Sequence, residues 1–275
     1  METIIATIIV ALILSFLLGI LLGLFKKIFA VKTDPKVGQI REALSGANCG
    51  GCGFAGCDSF AEAVASGKAE PTGCIAGGSN TAKKIAELLG VSAQEVMPKV
   101  TFLACNGTKE CAKERGTYNG VKTCKAAALS INGTKVCAFG CIGLGDCIEV
   151  CPFDALHMGK DGLPVVDYAK CTGCGKCAAQ CPKKLFHIIP KDTKGSIAMC
   201  SNRSDNKPQI RKDCSVGCFK CGMCVRKCPE HCIELVNGIP QIDYTKCTSC
   251  KECINACPDK VLHLFQDLTL DNSNK

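Results

Sequence analysis

Cys247-Thr248-Ser249-Cys250-Lys251-Glu252-Cys253-Ile254-Asn255-Ala256-Cys257-Pro258 reads C-x-x-C-x-x-C-x-x-x-C-P. In that run three thiolates wrap one four-iron, four-sulfur cluster and the fourth reaches across to a second. The two-residue gaps bend the backbone round a cuboidal cluster, with its amides facing the sulfurs, and the fourth cysteine leaves on the helix that follows. The same run recurs at Cys171, Cys174, Cys177 and Cys181 before Pro182, and at Cys218, Cys221, Cys224 and Cys228 before Pro229. Zinc sites space their C-x-x-C pairs by a dozen or more residues. Disulfide frameworks belong to short secreted chains. The 26 cysteines in 275 residues therefore read chiefly as iron-sulfur ligands.

A repeat underlies these runs. Val166-Asp167-Tyr168-Ala169-Lys170-Cys171-Thr172 matches Ile242-Asp243-Tyr244-Thr245-Lys246-Cys247-Thr248, and Cys151 aligns with Cys228 as Cys181 does with Cys257. The chain is thus expected to carry two tandem double-cluster units of the bacterial ferredoxin kind, each a small α+β module. Cores this small make the clusters structural as well as functional.

The crossed rule assigns Cys218, Cys221, Cys224 and Cys257 to one cluster and Cys247, Cys250, Cys253 and Cys228 to another. In the first unit Cys171, Cys174, Cys177 and Cys151 form a complete set. The remaining set departs from the pattern: Cys141, Cys147 and Cys181 are present, but Leu144 stands where the second unit has Cys221. Leucine cannot ligate iron, and Cys137, four residues before Cys141, is the expected substitute. Cys105, Cys111, Cys124, Cys200 and Cys214 are left over; they could hold a sixth cluster or pack as small hydrophobes. Cys232 aligns with Ala155 and reads as packing. His157, His187 and His263 each follow a Cys-Pro cysteine by six residues and are expected on strand surfaces, not as ligands.

Upstream, Asn48-Cys49-Gly50-Gly51-Cys52-Gly53-Phe54-Ala55-Gly56-Cys57, with Cys74 beyond, forms a further four-cysteine site. Its glycines permit a close approach to a metal, and spacing alone leaves zinc open. The following Cys57-Asp-Ser-Phe-Ala-Glu-Ala-Val-Ala opens a helix. Val37–Leu44 and Ala82–Leu89 read as short amphipathic helices, and Ser92-Ala-Gln-Glu95 as a capping box.

From Ile4 to Phe25 the chain runs 22 residues without a charge, enough to cross a bilayer core of about 30 Å at about 1.5 Å per residue. Met1-Glu2 offers no positive n-region, so an anchor is expected rather than a signal peptide. Lys26, Lys27, Lys32 and Lys36 follow it, which puts the cysteine-bearing body on the cytoplasmic side. Gly19 and Gly23 form a small-x-x-x-small step open to a second helix. The expected domains are residues 1–30 as transmembrane anchor, 31–100 as four-cysteine domain, 101–195 as first ferredoxin unit with an upstream extension, and 196–275 as second unit.

The net charge of +8 counts cysteines as neutral. Five oxidised clusters with their thiolates add about −10, which removes the case for a nucleic-acid partner. Lys83, Lys84, Lys183, Lys184, Lys220 and Lys227 could face a small acidic electron carrier. No nicotinamide, flavin or nucleophile motif appears.

The anchor, the Cys49–Cys74 motif, the Gly140-Cys141-Ile142-Gly143-Leu144-Gly145-Asp146-Cys147 variant and the tandem units closely resemble the B subunit of the Rnf complex. The Cys49 motif is shared there with the corrinoid iron-sulfur protein of acetyl-CoA synthesis. The cysteines themselves provide for five 4Fe-4S clusters, or six with the leftover thiols, and the resemblance implies a cytoplasmic-membrane subunit. It would take electrons from soluble ferredoxin and relay them to membrane-embedded partners of an ion-pumping ferredoxin:NAD oxidoreductase, the flavin and nicotinamide sites lying elsewhere. Two rivals are an iron-sulfur subunit of another membrane oxidoreductase and a cysteine-rich redox-sensing scaffold. A Cys49 domain set apart between anchor and ferredoxin units could shuttle between donor and acceptor.

Overall fold

The computed structural model describes residues 2–28, 34–92 and 97–272. Helix α1 (Glu2–Ile28) is apolar, with a mean hydropathy of 3.0, and exposed along its length. It is long and apolar enough to cross a membrane.

Three helices build the four-cysteine domain. Asp34 caps α2 (Pro35–Ala43) by accepting from the Lys36 amide at 2.9 Å, with Pro35 in the first turn where its missing N–H costs nothing. Helix α3 (Cys57–Ala65) buries Phe60, Ala61 and Val64, and α4 (Gly78–Leu89) ends on left-handed Gly90. Ile40, Phe60 and Ile85, each at most 1% exposed, interlock the three. Helices α2 and α4 overlap the expected amphipathic stretches, α4 starting earlier at Gly78, and α3 opens at Cys57 as the sequence suggests. Residues 93–95 of the expected capping box, Lys32 and the last residues of the polar tail lie outside the described residues.

The first ferredoxin-type unit comprises β1 (Lys99–Leu103), α5 (Cys124–Ile131), α6 (Asp146–Glu149), β2 (Leu156–Met158), β3 (Pro164–Val166), α7 (Lys176–Gln180) and β4 (Phe186–Pro190). The second comprises β5 (Ser196–Ala198), α8 (Lys207–Asp213), α9 (Met223–Lys227), β6 (Ile233–Val236), β7 (Ile239–Ile242), α10 (Glu252–Asn255) and β8 (Leu262–Leu264), followed by α11 (Phe265–Asn272). Each unit is two antiparallel ribbons, β1 with β4 and β2 with β3, then β5 with β8 and β6 with β7. Phe102 faces His187, Leu156 faces Val166, Ile197 faces His263 and Ile233 faces Ile242. The β6–β7 hairpin turns on Asn237-Gly238, both at positive φ as a tight two-residue loop demands.

The two units share one core. Ile197 and Phe265 of the second pack with Val100, Leu185 and Tyr168 of the first, and the Tyr168 and Phe265 rings meet edge to face at 5.2 Å. His157 and His187 are exposed on their strands, and His187 stacks on Phe102 at 5.6 Å. His263 is half-buried, its Nε2 without a hydrogen-bond partner.

Candidate iron-sulfur centres

Each ferredoxin-type loop bends in the same way. Gly143 and Gly145, Gly173 and Gly175, Lys220 and Gly222, and Ser249 and Lys251 all have positive φ, four and two residues before the third cysteine of their run. Left-handed residues alternating with ordinary ones turn successive amides inward and form an anion-binding concavity. Ser249 and Lys251 hold this shape without glycine, at a steric cost. The loop with Leu144 in place of a cysteine keeps the geometry of the others.

These loops enclose thiol-lined cavities. One, of ≈ 330 Å³, is bordered by Cys151, Cys171, Cys174 and Cys177. Another of ≈ 330 Å³ is bordered by Cys228, Cys247, Cys250 and Cys253, with Cys232 on its wall. Cys218 lies within electrostatic reach of Cys221, Cys224 and Cys257. Cys74 likewise feels Cys49 and Cys57, with Cys52 on the same small core. Asn48 shapes that loop: its Oδ1 accepts from the Cys57 amide at 2.8 Å.

The set with the missing ligand closes differently from the sequence expectation. A cavity of ≈ 370 Å³ is bordered by Cys141, Cys147, Cys181 and Cys124, not Cys137. Buried Asp146 is the cause: its carboxylate accepts from the Cys124 amide at 2.6 Å and the Lys125 amide at 3.1 Å, holding the start of α5 against the loop. The structure thus puts Cys124 at this border and Cys137, the cysteine expected from the sequence, elsewhere. Cys137 borders another cavity, of ≈ 360 Å³, together with Cys105, Cys200 and Cys214. Cys111 lies outside both, its amide bonded to the Thr108 hydroxyl at 3.3 Å. Sequence reasoning had a signal for Cys124: the repeat pairs it with Cys200, and an acid at Asp146 stands where the second unit has Met223.

The thiols suit a cluster in chemistry as well as place. Desolvation pushes Cys177, Cys218 and Cys224 up to about 11 and Cys147 up to about 12, with neighbouring thiols adding like charge. Bare thiolates are unfavourable there, and a cationic iron core is what stabilises them. Donors already face the sulfurs: the Ala155 amide reaches Cys151 Sγ at 3.4 Å and the Val261 amide reaches Cys257 Sγ at 3.3 Å. The Ser196 hydroxyl lies 3.3 Å from Cys253 Sγ. Thr172 Oγ1, on the wall of the Cys151–Cys177 cavity, has no protein partner and is free to donate to a cluster sulfide. Among the described residues no three His, Cys, Asp or Glu groups converge on a point; the cysteines border cavities instead.

The cysteine groups adjoin in series. A Cβ on Gly51 would lie 2.8 Å from the Cys174 carbonyl oxygen, so the Cys49 loop rests backbone to backbone on the first ferredoxin-type unit. Cys147 feels Cys177, the Cys141 amide donates to Cys105 Sγ at 3.4 Å, the Cys218 amide donates to Cys200 Sγ at 3.4 Å, and Cys224 feels Cys253.

Two family models match this chain: a putative Fe-S cluster domain over residues 44–76, and a 4Fe-4S dicluster domain over residues 139–185 and again over 217–261. The B subunit of the Na(+)-translocating ferredoxin:NAD(+) oxidoreductase complex of Acetobacterium woodii is 40% identical over 221 residues, covering 80% of this chain and 66% of that protein. The B subunit of the ion-translocating oxidoreductase complex of Methanosarcina acetivorans is 37% identical over 238 residues, 86% of this chain and 89% of its own. The chain belongs to the B-subunit family of these ion-translocating oxidoreductase complexes. A third member of the family, from the proton-translocating ferredoxin:NAD(+) oxidoreductase complex of Clostridium ljungdahlii, is 39% identical over 225 residues, 81% of this chain and 78% of its own. As a B subunit with ferredoxin-type cluster domains, it is an iron-sulfur electron-transfer protein, and α1 supplies a membrane anchor.

Proposed function

We propose that this chain takes low-potential electrons from reduced ferredoxin at the cytoplasmic face of the membrane. It relays them through 4Fe-4S clusters to membrane partners of an ion-pumping ferredoxin:NAD oxidoreductase. The observation that carries the reading is the succession of adjoining cysteine groups, from the Cys49 loop seated on Cys174 to the cavity at Cys250. Electron transfer between clusters requires such adjacency, and nothing in a redox-sensing scaffold does.

Five ligand sets follow: Cys49, Cys52, Cys57 and Cys74; Cys151, Cys171, Cys174 and Cys177; Cys124, Cys141, Cys147 and Cys181; Cys218, Cys221, Cys224 and Cys257; Cys228, Cys247, Cys250 and Cys253. When bound, each cluster supplies a one-electron couple. The protein residues fix its position, exclude water and set its potential through donors to sulfur. The Cys49 set lies next in sequence to the anchor and Cys250 is exposed at the other end, so electrons enter at the second ferredoxin unit and leave near the membrane. Lys184 and Lys227 are exposed and suit an acidic donor. Lys220 pairs with Asp205 at 3.2 Å and Lys183 donates to the Asn132 carbonyl at 3.0 Å, which commits both inside the chain. Lipid surrounds α1, with Lys26 and Lys27 at its cytoplasmic end.

The test is anaerobic mixing of the full chain in lipid nanodiscs with sub-stoichiometric reduced two-cluster ferredoxin, followed by absorbance bleaching and EPR. Electrons are expected to pass to the chain from ferredoxin but not from NADH. No reduction by ferredoxin would sink the reading.

A further inference from the structure

Five four-iron sites leave six cysteines, four of which meet. Cys105 and Cys137 come from the first unit, Cys200 and Cys214 from the second, and together they border the cavity on the seam between the two. Cys105 is 8%, Cys200 9% and Cys214 8% exposed. We propose that Cys105, Cys137, Cys200 and Cys214 hold a sixth four-iron, four-sulfur cluster that joins the two ferredoxin units. The proposal rests on the five-site reading above, since it uses the cysteines which that reading leaves free.

The repeat explains why these thiols are available. Cys124 and Cys200 are equivalent positions, as are Cys137 and Cys214. In the first unit Cys124 stands in for the ligand missing at Leu144. The second unit has Cys221, so Cys200 is not needed locally and turns into the seam, where the Cys218 amide donates to its Sγ at 3.4 Å. Sulfur donors surround the rest of the site as they do the others: the Cys141 amide to Cys105 Sγ at 3.4 Å and the Asn202 side-chain amide to Cys137 Sγ at 3.5 Å.

Size and charge fit the same group. Counting the open space at its mouth, the seam cavity of ≈ 360 Å³ is of the same order as the ferredoxin-type cavities at ≈ 330 to ≈ 370 Å³. A Cβ on Gly107 would lie 3.2 Å from Ala112 Cβ, 3.5 Å from Cys214 Sγ and 3.7 Å from Cys105 Sγ, so a branched side chain there would crowd the two thiols. Lys135, 5% exposed, stands on the cavity wall and donates to the Gly107 carbonyl. A buried ammonium calls for a counter-charge, and an oxidised cluster with four thiolates carries about −2.

The frame around the seam is fixed by both units. The Asn106 amide donates to the Met199 carbonyl at 2.9 Å, the Lys113 amide to the Asp213 carbonyl at 2.9 Å, and Ala112 bridges Cys214. Neighbouring ligands then adjoin the seam on either side: Cys141 of the first unit beside Cys105, Cys218 of the second beside Cys200. A cluster held by these four thiols would supply a one-electron couple between the two units, a transfer that needs no proton or bond change. The seam is thus the joint of the wire.

Iron, acid-labile sulfide and zinc are counted on anaerobically purified full chain, wild type beside Cys105→Ser/Cys214→Ser and Gly107→Val. The last keeps every thiol but fills the cavity. About 24 iron and 24 sulfide are expected in wild type and about 20 of each in both variants. About 20 in wild type, unchanged in the variants, overturns the sixth cluster and leaves the five-site reading intact. About one zinc lost with the double variant also overturns it, since the seam is then a zinc site. Wild type well under 20, with about four iron still lost in both variants, keeps the seam cluster and instead breaks the five-site reading. If the double variant fails to fold, the wild-type count and Gly107→Val decide alone.

Discussion

At Leu144 one side chain decides which cysteine serves a cluster. Leu144 occupies the place that Cys221 fills in the second unit, and its loop keeps the same alternation of left-handed residues. Only the thiol is missing, and on the proposed ligand sets Cys124, which borders the same cavity, supplies it from another element. Cys124→Ser should therefore cost the chain about four iron, and adding Leu144→Cys to it should restore them, because the loop around that position keeps the bend of its cysteine-bearing counterparts. Iron and sulfide counts on the single and paired variants check this; a pair no richer than the single would refute it. A second residue-scale effect concerns potential rather than content. Ser196 is 1% exposed and its hydroxyl lies 3.3 Å from Cys253 Sγ. A donor to a ligand sulfur favours the more negative, reduced state, so its removal lowers the potential. One neutral hydrogen bond of about 1 kcal/mol is about 40 mV for one electron. Ser196→Ala should shift one cluster down by that order in an EPR-monitored redox titration, with iron content unchanged.

Among the elements, α5 shows how a ligand is aimed from a distance. Its first residue is Cys124, and the carboxylate of Asp146, the first residue of α6, accepts from its first amides. Hydrogen bonds to a charged acceptor contribute about 1.5–3 kcal/mol each, and α5 is too short to hold its position unaided. Asp146→Ala should release the start of α5 and empty the Cys124–Cys181 site of about four iron, while Asp146→Asn, still able to accept one bond, should retain part of it. Metal analysis with circular dichroism separates this local loss from general unfolding, and full iron in Asp146→Ala would show that the cap is dispensable. The same element marks the limit of sequence reading. Helices α2, α3 and α4 follow from local apolar periodicity, and the ferredoxin-type loops from cysteine spacing, because both signals lie within a dozen residues. The link from Asp146 to Cys124 spans 22 residues. Proximity in sequence points to Cys137, whereas the structure borders the cavity with Cys124.

On the scale of the whole molecule, what the sequence withholds is mostly adjacency. Nothing in the spacing of Cys105, Cys137, Cys200 and Cys214 brings two units together at one cavity; that follows from strands β1 and β5 packing into a shared core. Nor does the sequence tell whether the Cys49 domain roams or docks. The structure seats it through Gly51, where a Cβ would stand 2.8 Å from the Cys174 carbonyl oxygen and 3.4 Å from Cys174 Cβ. Backbone cannot yield to such an intrusion, so Gly51→Val must push the domain off this seat. The substituted residue ligates nothing, and the small core of Ile40, Phe60 and Ile85 lies behind it, so both clusters should still assemble. If electrons cross at this contact, Gly51→Val should keep full iron and sulfide yet slow the passage of electrons from the ferredoxin units to the Cys49 cluster. Rapid freeze-quench EPR after mixing with reduced ferredoxin resolves that step. A shuttling domain would be indifferent to the loss of its seat, so an unchanged rate would favour movement over a docked relay.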